Sequence, residues 1–221
     1  MGHSELILMR LTLIRHAQSV SNAGGLTQPH QAIPLTVHGH MQARALGATL
    51  AGPASAVAVS RFVRAQQTAA PYCQRFNLDP QIDADLDEFS LIDAALIEGL
   101  DGAQRKPFVQ VYWTDPDLHR RLGENADTFA EFVERVRRFQ GRMDTLADGT
   151  VIFGHGIWLA MLQWHLEGQG VTDTVGMRAF RQFQLQLPMP NCAVFEVARH
   201  GSQPWRMERV QWRAESEYER G

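Results

Sequence analysis

Leu11-Thr-Leu-Ile14 runs directly into Arg15-His16-Ala17-Gln18-Ser19-Val20-Ser21-Asn22. The first four residues are apolar or β-branched, which predicts a short buried strand. An arginine and a histidine stand where that strand would end. In open α/β sheets the working groups gather outside the carboxyl ends of the strands, so this one junction bears on both the fold and the place of the chemistry.

Outward from it, strands and helices alternate. Gly24, Gly25, Pro29 and Pro34 mark a loop. Thr36 is placed to cap a helix through Ala51, with Met41, Ala45, Leu46 and Leu50 at helical spacing. A second strand is expected at Ala56-Val-Ala-Val59, a helix over Arg61 to Phe76, and a third strand at Pro80 to Ala84. Residues 85–122 hold acids, prolines and glycines with no single period, and are read as a lid-like excursion of loops and short helices. Phe129, Phe132, Val133, Val136 and Phe139 share one face of a helix expected from Asp127 to Leu146. Thr150-Val-Ile-Phe153 is a fourth strand, with a helix from Ile157 to Leu166. Cys192 to Ala198 and Trp205 to Trp212 are expected to close the sheet. The alternation predicts an α/β fold, a three-layer α/β/α sandwich around a mostly parallel sheet. It is read as one domain over residues 9–215, with residues 1–8 as an N-terminal extension.

The expected strand ends collect a distinctive set. The first supplies Arg15 and His16, the second Ser60 leading to Arg64, the third Asp85, Asp87 and Glu88, and the fourth Gly154-His155-Gly156. These residue types suit phosphoryl transfer, where catalysis is mostly positioning and electrostatics around the equatorial oxygens. Arginine offers planar, bidentate, permanently charged donors to phosphate. A neutral histidine becomes a nucleophile when a hydrogen bond fixes its tautomer. A carboxylic acid with a raised pKa can protonate the leaving oxygen. From the residues alone, Asp85, Asp87 and Glu88 all remain candidates for that acid.

Composition narrows the classes. The 221 residues are 44% hydrophobic and carry a formal net charge of -3. That balance does not suit a nucleic-acid binder. The apolar stretch Leu6 to Ile14 is short and broken by Arg10, so no membrane span or signal peptide is expected. Cys73 and Cys192 are far apart and outside any C-x-x-C, which fits a reducing cytoplasm and no disulfide framework. No G-x-x-x-x-G-K-S/T run is present, excluding a P-loop. His30, His38, His40, His119, His165 and His200 are read as surface or structural, and no metal site is expected. Arg120-Arg121 is read as a solvated pair, with contact to a second substrate anion as the alternative.

The motifs also carry a resemblance. Arg15-His16-Ala17-Gln18-Ser19-Val20-Ser21-Asn22 resembles the Arg-His-Gly-x-Thr-x-x-Asn signature of the histidine phosphatase superfamily, phosphoglycerate mutase-like branch. Ser60-x-x-x-Arg64-Ala-x-Gln67-Thr68-Ala69, Leu86-Asp87-Glu88-Phe89, Ala126-Asp-Thr-Phe129 with Arg135-Val136, and Phe153-Gly154-His155-Gly156 are similar to its later motifs, in order. The resemblance implies a phosphoglycerate mutase-like fold. It implies His16 as the phosphorylated nucleophile, Arg15, Arg64 and His155 as phosphoryl ligands, Glu88 as proton donor and Asn22 in the phosphate pocket. It implies no metal or organic cofactor, and a small phosphorylated molecule as substrate; a homo-oligomer is compatible with it. The expected activity is a phosphomonoesterase. The alternatives are a mutase and a catalytically silent phosphate- or phosphoprotein-binding module. Cofactor-dependent mutases of the family carry a longer, more basic insert, whereas Phe89 to Leu122 holds only Arg105, Lys106, Arg120 and Arg121 as basic residues.

Overall fold

A computed structural model describes residues 8–212. The expected extension over residues 1–8 lies, apart from Leu8, outside the described residues. Six strands form one sheet in the order β3-β2-β4-β1-β5-β6. They are β1 (Leu8–Arg15), β2 (Val57–Val59), β3 (Gln81–Ile82), β4 (Thr150–Gly154), β5 (Val194–His200) and β6 (Arg206–Val210). The pairs β1–β4, β2–β4 and β2–β3 are parallel, while β1–β5 and β5–β6 are antiparallel. The parallel expectation therefore holds for one side of the sheet, and two antiparallel strands finish the other.

Side-chain alternation divides the core into two layers. On one face Leu11, Leu13 and Ile152 pack with α4 (Phe129–Arg142), α5 (Gly156–Leu166) and α6 (Thr174–Gln186). On the other, Ile14, Val59, Val151 and Phe153 pack with α1 (Val37–Thr49) and α2 (Val63–Phe76). Helices thus cover both faces, and β4, buried along its whole length, lies in the middle. Among the described residues no helix is long and apolar enough to cross a membrane.

Several expectations shift. The third strand is only the two-residue β3, at an exposed edge, where a 3-10 turn at Ala84–Leu86 soon follows. The helix expected from Asp127 starts later because Thr128 caps it, accepting from Glu131 N–H while the Glu131 side chain returns to Thr128 N–H. α6 has no counterpart in the sequence reading. Its only fully buried residues are Met177 and Phe180, so its apolar stripe is thin. α3 (Gly102–Thr114), capped by Asp101, is the regular helix within the excursion. The excursion has a tied neck: Ser90 N–H donates to Asp127 Oδ2 (2.9 Å), and Asp127 N–H donates to Ser90 O (2.8 Å). Arg135 grips the same Asp127 at 2.5 Å.

Thr36 caps α1 as expected, accepting from Gly39 N–H at 2.9 Å. It also donates to the Gln18 side chain, tying the helix start to the loop after His16. That approach is close enough that a Cβ on Gly39 would lie 2.0 Å from Gln18 O.

Candidate active site

Register brings the histidines together. Arg15 pairs with Gly154 across β1 and β4, so His16 and His155 leave adjacent parallel strands side by side. Their ring centroids are 5.2 Å apart, edge to face. Val59 pairs with Phe153, which sets Ser60 beside them from β2. Most of the set expected at the strand ends thus comes together, Asp85 excepted, with both histidines, Ser60 and Arg64 buried.

His16 Nδ1 lies 2.7 Å from Ala17 O. A carbonyl only accepts, so Nδ1 carries the proton and Nε2 keeps its lone pair. Arg64 Nε donates toward that lone pair at 3.2 Å. Burial, then the charges of Arg64 and Arg15, hold the His16 pKa well below its ordinary value. The ring is therefore neutral at physiological pH.

Arg64 sits in the first turn of α2. Its Nη1 donates to His30 O at 2.8 Å, and its guanidinium lies 4.8 Å over the Phe62 ring. Burial lowers its pKa to about 10, which leaves it charged near neutrality. Arg15 donates to Met189 O, while its Nε is buried without a partner. Burial lowers its pKa as well.

His155 precedes α5 and is held by a relay. Its Nε2 lies 2.8 Å from Ser60 Oγ, and Ser60 Oγ donates to Asp87 Oδ1 at 2.8 Å. Because the serine proton goes to the carboxylate, its oxygen accepts from His155 Nε2–H. Nδ1 is then buried without a partner. Burial first, then the Arg64 charge, push its pKa far down. Asp87 also accepts from Arg61 N–H (3.0 Å) and Arg61 Nε (2.6 Å).

Glu88 occupies a different place from its neighbours. Its Oε2 accepts from Ile157 N–H and its Oε1 from Trp158 N–H, both at 3.0 Å, and Oε1 also accepts from Phe89 N–H. It thereby serves first-turn amides of α5 that the helix itself leaves unpaired. His155, at the cap position, makes no such side-chain bond. Burial raises the Glu88 pKa, against the pull of those backbone donors and of Arg64 and Arg15. Asp85 instead pairs with Arg138 at 2.8 Å, away from this cluster. Glu88 thus has a raised pKa with Arg64 and Arg15 as charge neighbours, whereas Asp85 and Asp87 are engaged by Arg138 and by Ser60 with Arg61.

Asn22 is exposed, at the rim. Its Oδ1 accepts from Ser19 N–H, Ser19 Oγ and Asn191 Nδ2, and Asn191 in turn donates to His16 O at 3.2 Å. These contacts fasten the loop after His16 through backbone and neighbouring polar groups, and none meets a side chain of the arginine–histidine cluster. Sequence reasoning missed Ser60's link to Asp87 and treated His30 as peripheral. His30 O in fact holds Arg64, and its ring meets Ser90 Oγ at 2.9 Å. Arg120 and Arg121 pair with Asp115 and Glu131, so neither is a free cation for a second substrate anion.

Fold and site define the class: an α/β phosphoric monoester hydrolase that works through histidine. The chain belongs to the histidine phosphatase superfamily (branch 1), whose family model matches residues 11–213. It is 30% identical over 141 residues to the adenosylcobalamin/alpha-ribazole phosphatase of Salmonella typhimurium, covering 63% of this chain and 69% of that one. The Escherichia coli protein of the same name is 33% identical over 136 residues, covering 61% and 66%. Among solved structures, the alpha-ribazole phosphatase of Shigella flexneri superposes with a TM-score of 0.70 at 24% identity, covering 91% of this chain and 96% of that one. A mycobacterial glucosyl-3-phosphoglycerate phosphatase gives 0.67 at 22% identity, covering 92% and 98%.

Proposed function

We propose that His16 is the nucleophile of a metal-independent phosphomonoesterase acting on a small phosphorylated molecule, in the cytoplasm. The observation that carries this reading is the His16 tautomer: Nδ1–H fixed on Ala17 O, and a lone pair on Nε2 facing Arg64. Arriving phosphate oxygens draw the Arg64 and Arg15 guanidiniums onto themselves, and a P–OH of the ester monoanion donates to the unpartnered Nδ1 lone pair of His155. Nε2 attacks phosphorus, the P–N bond forms, and the bond to the leaving oxygen breaks. Glu88, protonated as its raised pKa favours, gives that oxygen a proton and becomes a carboxylate. In the second half, water loses a proton to Glu88 and its oxygen attacks phosphorus. Phosphate leaves, and neutral His16 and protonated Glu88 return. Asn22 acts through the loop that shapes the pocket. The segment between the neck residues Ser90 and Asp127 acts as the lid. Cys73 and Cys192 are buried and form no disulfide, which suits a reducing compartment.

Rapid acid quench with a 32P-labelled ester tests the assignment. Acid-labile, base-stable label on the wild type, absent from His16→Ala, is the expected result. Label that persists in His16→Ala places the nucleophile elsewhere.

A further inference from the structure

A cavity of about 530 Å³ lies beside the phosphoryl pocket. His30 joins the two. Its carbonyl holds Arg64, and its ring lies 6.2 Å from Phe62, whose ring lies 5.0 Å from His155. Ser90, two residues after Glu88, forms the same wall and meets His30 Nδ1. The volume falls in the range of small-molecule sites. Its wall at His30, whose carbonyl holds Arg64, puts it where the alcohol half of a phosphoester bound at the arginines would extend.

The charge of this wall is one-sided. Among the described residues that line it, Asp93 and Glu98 are acids and none is lysine or arginine. Asp93 is a fixed carboxylate: its oxygens accept from Ala95 N–H, Asn125 N–H and Asn125 Nδ2, and the backbone donors hold its pKa down. Glu98 is exposed. His30 is neutral, since burial and the Arg64 charge lower its pKa to about 4. Arg105, whose charge reaches His30, directs its Nη1 at Gly25 O, Thr27 Oγ1 and Leu100 O. The remaining polar groups, among them Ser90, Gln31 and Asn125, are neutral donors and acceptors suited to hydroxyls and ring nitrogens.

We propose that this cavity seats the leaving alcohol and selects esters whose alcohol is neutral or cationic and rich in hydroxyl or heterocyclic groups, against esters carrying a second phosphate or a carboxylate. The proposal rests on the phosphatase reading above. A second anion would face two carboxylates with no lining cation to meet it. Its repulsion acts in the bound ester, so it lowers kcat/KM rather than changing the phosphoryl chemistry.

Matched esters at low ionic strength test it: glycerol 3-phosphate against 3-phosphoglycerate, and ribose 5-phosphate against ribose 1,5-bisphosphate, with nitrophenyl phosphate as reporter of the phosphoryl site. The neutral member of each pair should have the higher kcat/KM by roughly tenfold or more. Glu98→Lys should shrink that ratio by roughly fivefold, and Glu98→Gln by less, as should added salt in the wild type. Thermal melting of both variants checks that the fold is kept. Equal or better turnover of the anionic members, or a ratio unmoved by Glu98→Lys in a folded protein, overturns the proposal. No turnover of any ester, nitrophenyl phosphate included, overturns the phosphatase reading itself and this inference with it.

Discussion

Replacing Glu88 with glutamine separates proton donation from packing. In the structure the carboxyl accepts three backbone N–H groups, two on Oε1 and one on Oε2. A protonated carboxyl keeps all three, because its hydroxyl oxygen still has lone pairs, and its proton can point away toward the leaving oxygen. An amide cannot do so. With its oxygen in the Oε1 position two bonds survive, and the NH2 faces Ile157 N–H. The lost bond costs about 1–3 kcal/mol of stability. The chemical loss is separate. Proton donation contributes roughly 10²–10⁴-fold, or about 3–5 kcal/mol at 1.36 kcal/mol per decade. It acts only where the leaving oxygen is basic. kcat/KM should therefore fall by that range for alkyl phosphates and by less than about tenfold for nitrophenyl phosphate, whose phenoxide departs unaided. Asp87→Asn is the control. It disturbs the anchor of His155 through Ser60 and should slow both ester types alike. An equal loss on both ester types in Glu88→Gln would refute the acid assignment. Leaving-group dependence in Asp87→Asn alone would move the acid by one residue.

Activity should persist in EDTA; complete loss, restored by zinc or magnesium, would defeat the mechanism built on arginines and histidines. His165 is buried with neither ring nitrogen partnered, and burial, then Arg137, lowers its pKa to about 4. The unfolded chain, near 6.5, binds the proton more readily, so this group's effect is absent above about pH 6.5 and stability falls as pH drops from there toward 4, by at most about 3 kcal/mol. Urea melts of His165→Leu across that window should show a shallower pH slope, and an unchanged slope would remove His165 from the account. Gly39→Ala would drive a Cβ into the Gln18 backbone, so we expect about 1–3 kcal/mol of destabilisation with reduced kcat; a neutral melt and normal turnover would show that the loop after His16 yields freely.

The elements that carry the chemistry were legible because their signals are local. Leu11 to Ile14 and Thr150 to Phe153 are compact apolar runs that end in charged or glycine-flanked residues, and parallel pairing then places their ends together. What escaped the sequence depends on distant partners. Ser60 and Asp87 are 27 residues apart, and nothing in either neighbourhood announces their hydrogen bond. His30 is a lone histidine in a Gly/Pro loop, and it matters because its carbonyl meets a guanidinium from α2. The three acids at Asp85, Asp87 and Glu88 are equivalent as letters. A short turn sends one to surface arginines, one to a serine and one to the start of α5. α6 escaped because glutamines and arginines dilute its apolar period.

The paired hydrogen bonds between Ser90 and Asp127 have a consequence for inheritance and for engineering. They close the excursion at its base, so its two ends stay a fixed distance apart whatever is strung between them. Lengthening a closed loop costs only about 0.6 kcal/mol per doubling. Additions at its exposed turns are therefore cheap, while Leu91, Ile92, Ile97, Tyr112 and Leu118 are buried in the main core and have to be matched in any replacement. The segment can be exchanged as a cassette between relatives, cut at the two neck residues, to give a chimera that retains one reaction and acquires a different appetite for alcohols.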